Sequence, residues 1–165
     1  LEIPPLKANE RFLYINYFGL KSSYLHTLYQ HYGEALIVDN TQAFFEMPMV
    51  GVDTFYSPRK FFGVADGGYL YTHNFLKEDL EQVKSAGRLA QLLGPIKRMS
   101  KLTQGILKSL DYEHIALTRQ QNFSALHAEL APRNQFNPVV PSNFVPMVSP
   151  FYCEDERLGD RLIQN

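Results

Sequence analysis

The chain has 165 residues, 45% of them hydrophobic and 20% charged, which is enough for one core and part of a second. A net charge of −1, with no basic block and no aromatic-basic stripe, argues against nucleic acid and anionic membrane as partners. The single Cys153 excludes an internal disulfide framework, and no apolar run approaches membrane-spanning length, so the expected setting is reducing and cytoplasmic.

Phe12 to Phe18 is aromatic and β-branched and predicts a strand closed by Gly19. Tyr24, Leu25, Leu28 and Tyr32 share one helical face, which predicts a helix from Ser22 or Ser23 to Tyr32 stopped by Gly33. Leu36-Ile37-Val38 is wholly apolar and ends at Asp39; residues 35 to 39 read as a strand buried on both faces. Thr41 to Glu46 supplies a short helix in the next connection. Residues 52 to 57 and 68 to 72 read as two more strands. Leu76 to Leu93 reads as a helix ended by Gly94-Pro95, with Leu76, Leu80, Val83 and Ala90 buried. Ser100 is the expected cap of a short helix to Leu110. Asp111 is the expected cap of a long one to Leu130, with Ile115, Phe123, Leu126 and Leu130 as its apolar stripe. Four prolines between Asn137 and Pro150 predict an extended linker near a domain boundary. There is no internal repeat.

The chemistry concentrates between Ala35 and Thr72. Twelve residues, Asn40 to Gly51, join the run ending at Asp39 to the next, near the minimum for a parallel crossover. If those strands are parallel, Asp39 and the turn Ser57-Pro58-Arg59-Lys60 emerge at one sheet edge, where open α/β sheets bind ligands. A lysine amine and a carboxylate at neighbouring strand ends are what pyridoxal-phosphate (PLP) chemistry uses. The amine forms a Schiff base, and the acid keeps the pyridine nitrogen protonated. The Ser57 hydroxyl suits a phosphate. Desolvation by Phe61, Phe62 and Val64 would lower the pKa of the Lys60 amine. Plainer readings stand beside these: Lys60 as a solvated surface charge, and Asp39-Asn40-Thr41 as a turn or helix cap. Asn16 either faces the ligand edge or makes strand-end hydrogen bonds. Tyr56, Arg59 and Tyr71 are weaker pocket candidates; Arg119 and Asn122, one turn apart, read as helix surface, with interdomain contacts as their other reading. His26 and His31 are five apart, and His73, His114 and His127 lack ligand partners at suitable spacing, so no metal site is expected.

The order Asp39, Gln42, Ser57-Pro58-Arg59-Lys60 and Ala65-Asp66-Gly67-Gly68 resembles the core of fold-type I PLP enzymes. The likeness is greatest to the sugar aminotransferases named after DegT, DnrJ, EryC1 and StrS. The resemblance implies an α/β fold: a mostly parallel-sheet large domain over residues 1–135, then a linker and the beginning of a small C-terminal domain over 136–165. It implies PLP as cofactor and a homodimer in the full-length protein. An amino donor and a small carbonyl acceptor, a sugar or similar, would be the substrates. Residue by residue, Lys60 would carry the Schiff base and move the proton, and Asp39 would pair with the pyridine nitrogen. Gln42 would lie near the ring face or its phenolic oxygen, Ser57 would contact phosphate, and Asn16 the cofactor edge. Ala65 to Gly68 resembles the family's Gly-Glu-Gly-Gly turn. Lys60 is followed by Phe61-Phe62 rather than small or polar residues. Ile96 stands where an Asn normally precedes the Arg-Met pair matched by Arg98-Met99. The resemblance also implies a preceding half domain with a Gly/Ser-rich phosphate turn. The chain therefore reads as a central fragment lacking both ends, inactive alone. Another PLP reaction on the same scaffold, or a non-catalytic α/β binding or assembly domain, are the competing readings.

Overall fold

The computed structural model describes residues 3–74, 80–83, 95–136, 140–141, 143–152 and 154. Within them lies an α/β arrangement of four strands and three helices. The strands are β1 (Phe12–Ile15), β2 (Leu36–Asp39), β3 (Asp53–Tyr56) and β4 (Tyr69–Tyr71), in spatial order β1-β2-β3-β4. The first three are parallel and β4 runs antiparallel to β3. The mostly parallel sheet that the resemblance implied is present among the described residues.

Helix α1 (Tyr24–Tyr32) covers one face of this sheet. Leu25 and Leu28 pack with Leu36, Val38 and Val52 into the first core. Leu28 is 1% exposed, and burial of such a side chain is worth about 1.5–3 kcal/mol. Gly33 ends the helix at φ 52°, a conformation that favours glycine. Burial alternates along β2: Leu36 and Val38 are sealed, while Ile37 and Asp39 are only half-buried. The expectation of a strand buried on both faces is corrected, because α1 packs on one face only.

β1 is shorter than expected. The chain leaves it at Asn16 and enters a 3-10 turn, Tyr17–Gly19, with Phe18 at φ 57° and Gly19 at φ 75°. A Cβ on Gly19 would lie 3.0 Å from the Phe144 ring, so glycine is required twice over. The short helix expected over Thr41–Glu46 is replaced by two successive turns, Ala43 N–H to Asn40 C=O and Glu46 N–H to Ala43 C=O. Phe44 and Phe45 both pack into one aromatic cluster, and adjacent positions do not share a helix face.

That cluster is the second core. Phe61, Phe62, Val64 and Leu107 are buried, with Phe44, Phe45, Met99, Tyr112 and Ile115 against them. Helices α2 (Lys101–Ser109) and α3 (Tyr112–Leu130) lie beyond it. Both expected caps form: Ser100 Oγ accepts from Thr103 N–H at 3.1 Å and Asp111 Oδ1 from His114 N–H at 2.9 Å. The stripe of α3 is only partly buried. Phe123 packs on Phe144 and His127, whereas Leu126 is 50% exposed. Residues 80–83 are not helical; Gln82 bridges Arg98 in parallel, with Val83 N–H to Arg98 C=O and Arg98 N–H to Glu81 C=O. The expected 76–93 helix therefore does not run through Leu80 and Val83, and the rest of it, Leu76 and Ala90 included, lies outside the described residues. Among the described residues no helix is long and apolar enough to cross a membrane.

Candidate functional site

Because β1, β2 and β3 are parallel, their carboxyl ends share one edge. Asn16 follows β1, Asp39 ends β2, and Ser57 opens the turn after β3. The register places Ile15, Asp39 and Phe55 side by side. Successive side chains alternate between faces, so this row lies opposite the face that α1 covers. Asn16 and Asn40 are one place further along and fall on the α1 side.

Asp39 Oδ1 accepts from Thr41 N–H at 2.8 Å, the turn bond that its sequence context suggested. Lys60 ends the 3-10 turn Pro58–Lys60 and its Nζ donates to Thr41 Oγ1 at 3.1 Å. Thr41 thus joins the acid to the amine. The side chains diverge after the turn: Arg59 and Lys60 point outward, Phe61 and Phe62 inward. The desolvating shell expected around Lys60 is therefore absent, because the apolar neighbours serve the second core instead. Ser57 is half-buried and its side chain makes no cap bond. Gln42 is half-buried, and its enclosed Oε1 has no hydrogen-bond partner among the described residues.

Asn16 is fully buried. Its Nδ2 donates to Ser22 Oγ and to Asn40 Oδ1, both at 3.0 Å, and its N–H to Asp39 C=O at 3.0 Å. Of its two readings, strand-end hydrogen bonding is the one these contacts fit. Asn40 N–H donates to Phe55 C=O at 2.9 Å, so the Asp39-Asn40 backbone is tied to both neighbouring strands. Among the described residues Asn16 Oδ1 has no hydrogen-bond partner, while the Asn40 side chain faces the Tyr56 hydroxyl and lowers its pKa against the effect of burial. Asn40 was missed from sequence. Its signal was its place in the buried phase of 36, 38 and 40, where only a bonded polar group is tolerated. Thr41 offered no such signal, since its hydroxyl meets a lysine nineteen residues away.

The glycine turn lies behind this edge. Gly67 has φ 101° and packs on Met99, while a Cβ on Gly68 would approach Tyr56 C=O at 3.3 Å. Asp66 is buried and its Oδ1 accepts from Ser100 N–H at 2.9 Å, joining the turn to the start of α2. Ile96 is 78% exposed. Tyr56 donates to Glu46 C=O at 3.0 Å, and burial raises its hydroxyl pKa. Burial also raises the Glu46 carboxyl, against a bond from Ser22 that lowers it.

Arg119 is not plain surface. Its guanidinium donates to the carbonyls of Phe61, Pro146 and Met147 and stacks 4.8 Å above the Phe61 ring. Burial lowers its pKa. It fastens α3 and the Pro146-Met147 segment to the residue that follows Lys60. Among the described residues no group of histidine, cysteine and carboxylate side chains is placed to hold a metal. Comparison of the chain with protein-family models, with curated proteins and with solved structures finds no match to any of them.

Proposed function

We propose that this chain belongs to a PLP-dependent aminotransferase that moves an amino group to a sugar or another small carbonyl acceptor. The observation that carries the reading is the shared edge of three parallel strands, which puts Asp39 and the Ser57–Lys60 turn side by side. The residues fit the group in part. Lys60 is exposed at that edge, and only one oxygen of Asp39 is engaged by Thr41 N–H. Asn16 does not fit, being sealed on the α1 side.

When bound, PLP supplies an electron sink that stabilises charge at the substrate carbon. The chain's own residues would do the rest. Asp39 would hold the ring nitrogen protonated through its free oxygen. Ser57 would donate its hydroxyl to the phosphate, and Gln42 would lie beside the ring. Lys60 would be the anchoring amine and then the base that carries a proton between substrate and cofactor carbons.

The test is to add PLP, record the visible spectrum, reduce with borohydride and map the modified peptide. Label on Lys60, abolished in Lys60→Ala, is the expected result. In a separate unreduced sample of the full-length protein, an amino donor should return the cofactor in its amine form, which separates transamination from dehydration or decarboxylation. Label scattered over surface lysines would overturn the reading.

A further inference from the structure

An exposed acid and amine at adjoining strand ends gain little by pairing, so the groups that hold each of them decide where they sit. Among the described residues the ion pairs join Arg11 to Asp53 and Lys97 to Glu81, and neither Asp39 nor Lys60 takes part. Thr41 stands between them. Its hydroxyl oxygen accepts from Lys60 Nζ at 3.1 Å and its N–H donates to Asp39 Oδ1 at 2.8 Å. Its backbone is fixed by the strand end, through Asn40 N–H to Phe55 C=O at 2.9 Å.

The geometry points to Thr41 as a positioning residue that holds the Lys60 amine off the Asp39 carboxylate, leaving both for an aromatic aldehyde with a ring nitrogen. The inference rests on the aminotransferase reading. Capture of an aldehyde needs the free lone pair of a neutral amine. The C–N bond forms at the carbonyl carbon, both N–H hydrogens leave with the carbonyl oxygen as water, and a C=N bond remains. The Thr41 hydroxyl fixes where the Lys60 nitrogen sits without placing a second charge against it. Valine at position 41 keeps the volume and loses the hydroxyl; serine keeps the hydroxyl.

The experiment mixes the parent chain, Thr41→Val and Thr41→Ser with PLP, quenches with borohydride at timed intervals and quantifies the Lys60 peptide by mass. Circular dichroism confirms that each variant is folded. Capture at Lys60 should slow about fivefold in Thr41→Val, the scale of one hydrogen bond. Thr41→Ser should stay within about twofold of the parent, since it retains the hydroxyl. Unchanged capture in Thr41→Val overturns the role of Thr41 and leaves the aminotransferase reading intact. So does equal slowing in both variants, which marks a merely structural threonine. A parent chain that labels Lys60 no faster than its other exposed lysines overturns the aminotransferase reading and this inference with it.

Discussion

Two single residues carry tests of the local chemistry. Gly67 sits at φ 101°, and an added Cβ would lie 3.1 Å from Met99 Cβ. Gly67→Ala combines a left-handed backbone with a contact that must give way, and should cost about 1–3 kcal/mol in urea unfolding. Gly63, with open space around its Cβ position and no positive φ, is the control and should change stability little when replaced by alanine. Glu46 tests burial instead. Burial holds its folded pKa above the ordinary carboxylate value, chiefly through desolvation. A raised carboxyl favours the folded state while protonated, and that contribution is lost as pH rises through the folded pKa. Stability should therefore fall from about pH 4.5 upward relative to Glu46→Gln, which cannot ionise. The comparison is between urea midpoints of the two proteins across that window. Identical pH dependence would mean that the Glu46 carboxyl is as well solvated folded as unfolded.

At the scale of elements, capping decides where α2 and α3 begin. Ser100→Ala and Asp111→Ala each remove the acceptor of one N-terminal N–H. Each should cost about 1 kcal/mol, read as a shifted midpoint with unchanged denaturant slope. These starts were legible because the signal is local: a Ser or Asp directly before a periodic run. The same holds for β2 and β3, which are short apolar or aromatic runs closed by polar residues, and for α1 with Gly33 behind it. Legibility fails where a tertiary contact overrides local pattern. Phe44 and Phe45 both go to the second core, which breaks the expected helix after Asp39. Gln82 pairs with Arg98, which keeps 80–83 extended although Leu80 and Val83 fit a helical stripe. The site follows the same rule. That Asp39 and the Lys60 turn share an edge was legible because strand ends can be read along the chain. Asn40 could be read only from its place in the buried phase of β2, and Thr41 and Arg119 act through partners that no spacing reveals.

The whole molecule is built around a sheet with two unequal faces. On the α1 side, Leu36 and Val52 are 0% exposed and Leu28 1%. On the other, Leu13 is 51% exposed and Leu70 50%, in the same layer as Asp39 and Phe55. Parallel strands are ordinarily covered on both faces, and here the energy of burial is concentrated on one. The consequence is an asymmetry that substitutions can measure. Leu28→Ala removes a sealed side chain from the first core and should cost about 2–5 kcal/mol, the range for deleting a buried leucine. Leu13→Ala removes a side chain already half in water and should cost less than about 1 kcal/mol. The pair shares residue type, and because alanine favours the helix of Leu28 over the strand of Leu13, a larger cost at Leu28 reports the covering layer. The open face should also bind a hydrophobic dye, with fluorescence falling in Leu13→Lys, Leu70→Lys or the double variant while the α1 side keeps its stability. Equal destabilisation by Leu28→Ala and Leu13→Ala would show that the second face is packed in solution. The acid of the Asp39–Lys60 edge would then lie under a cover rather than beside open sheet.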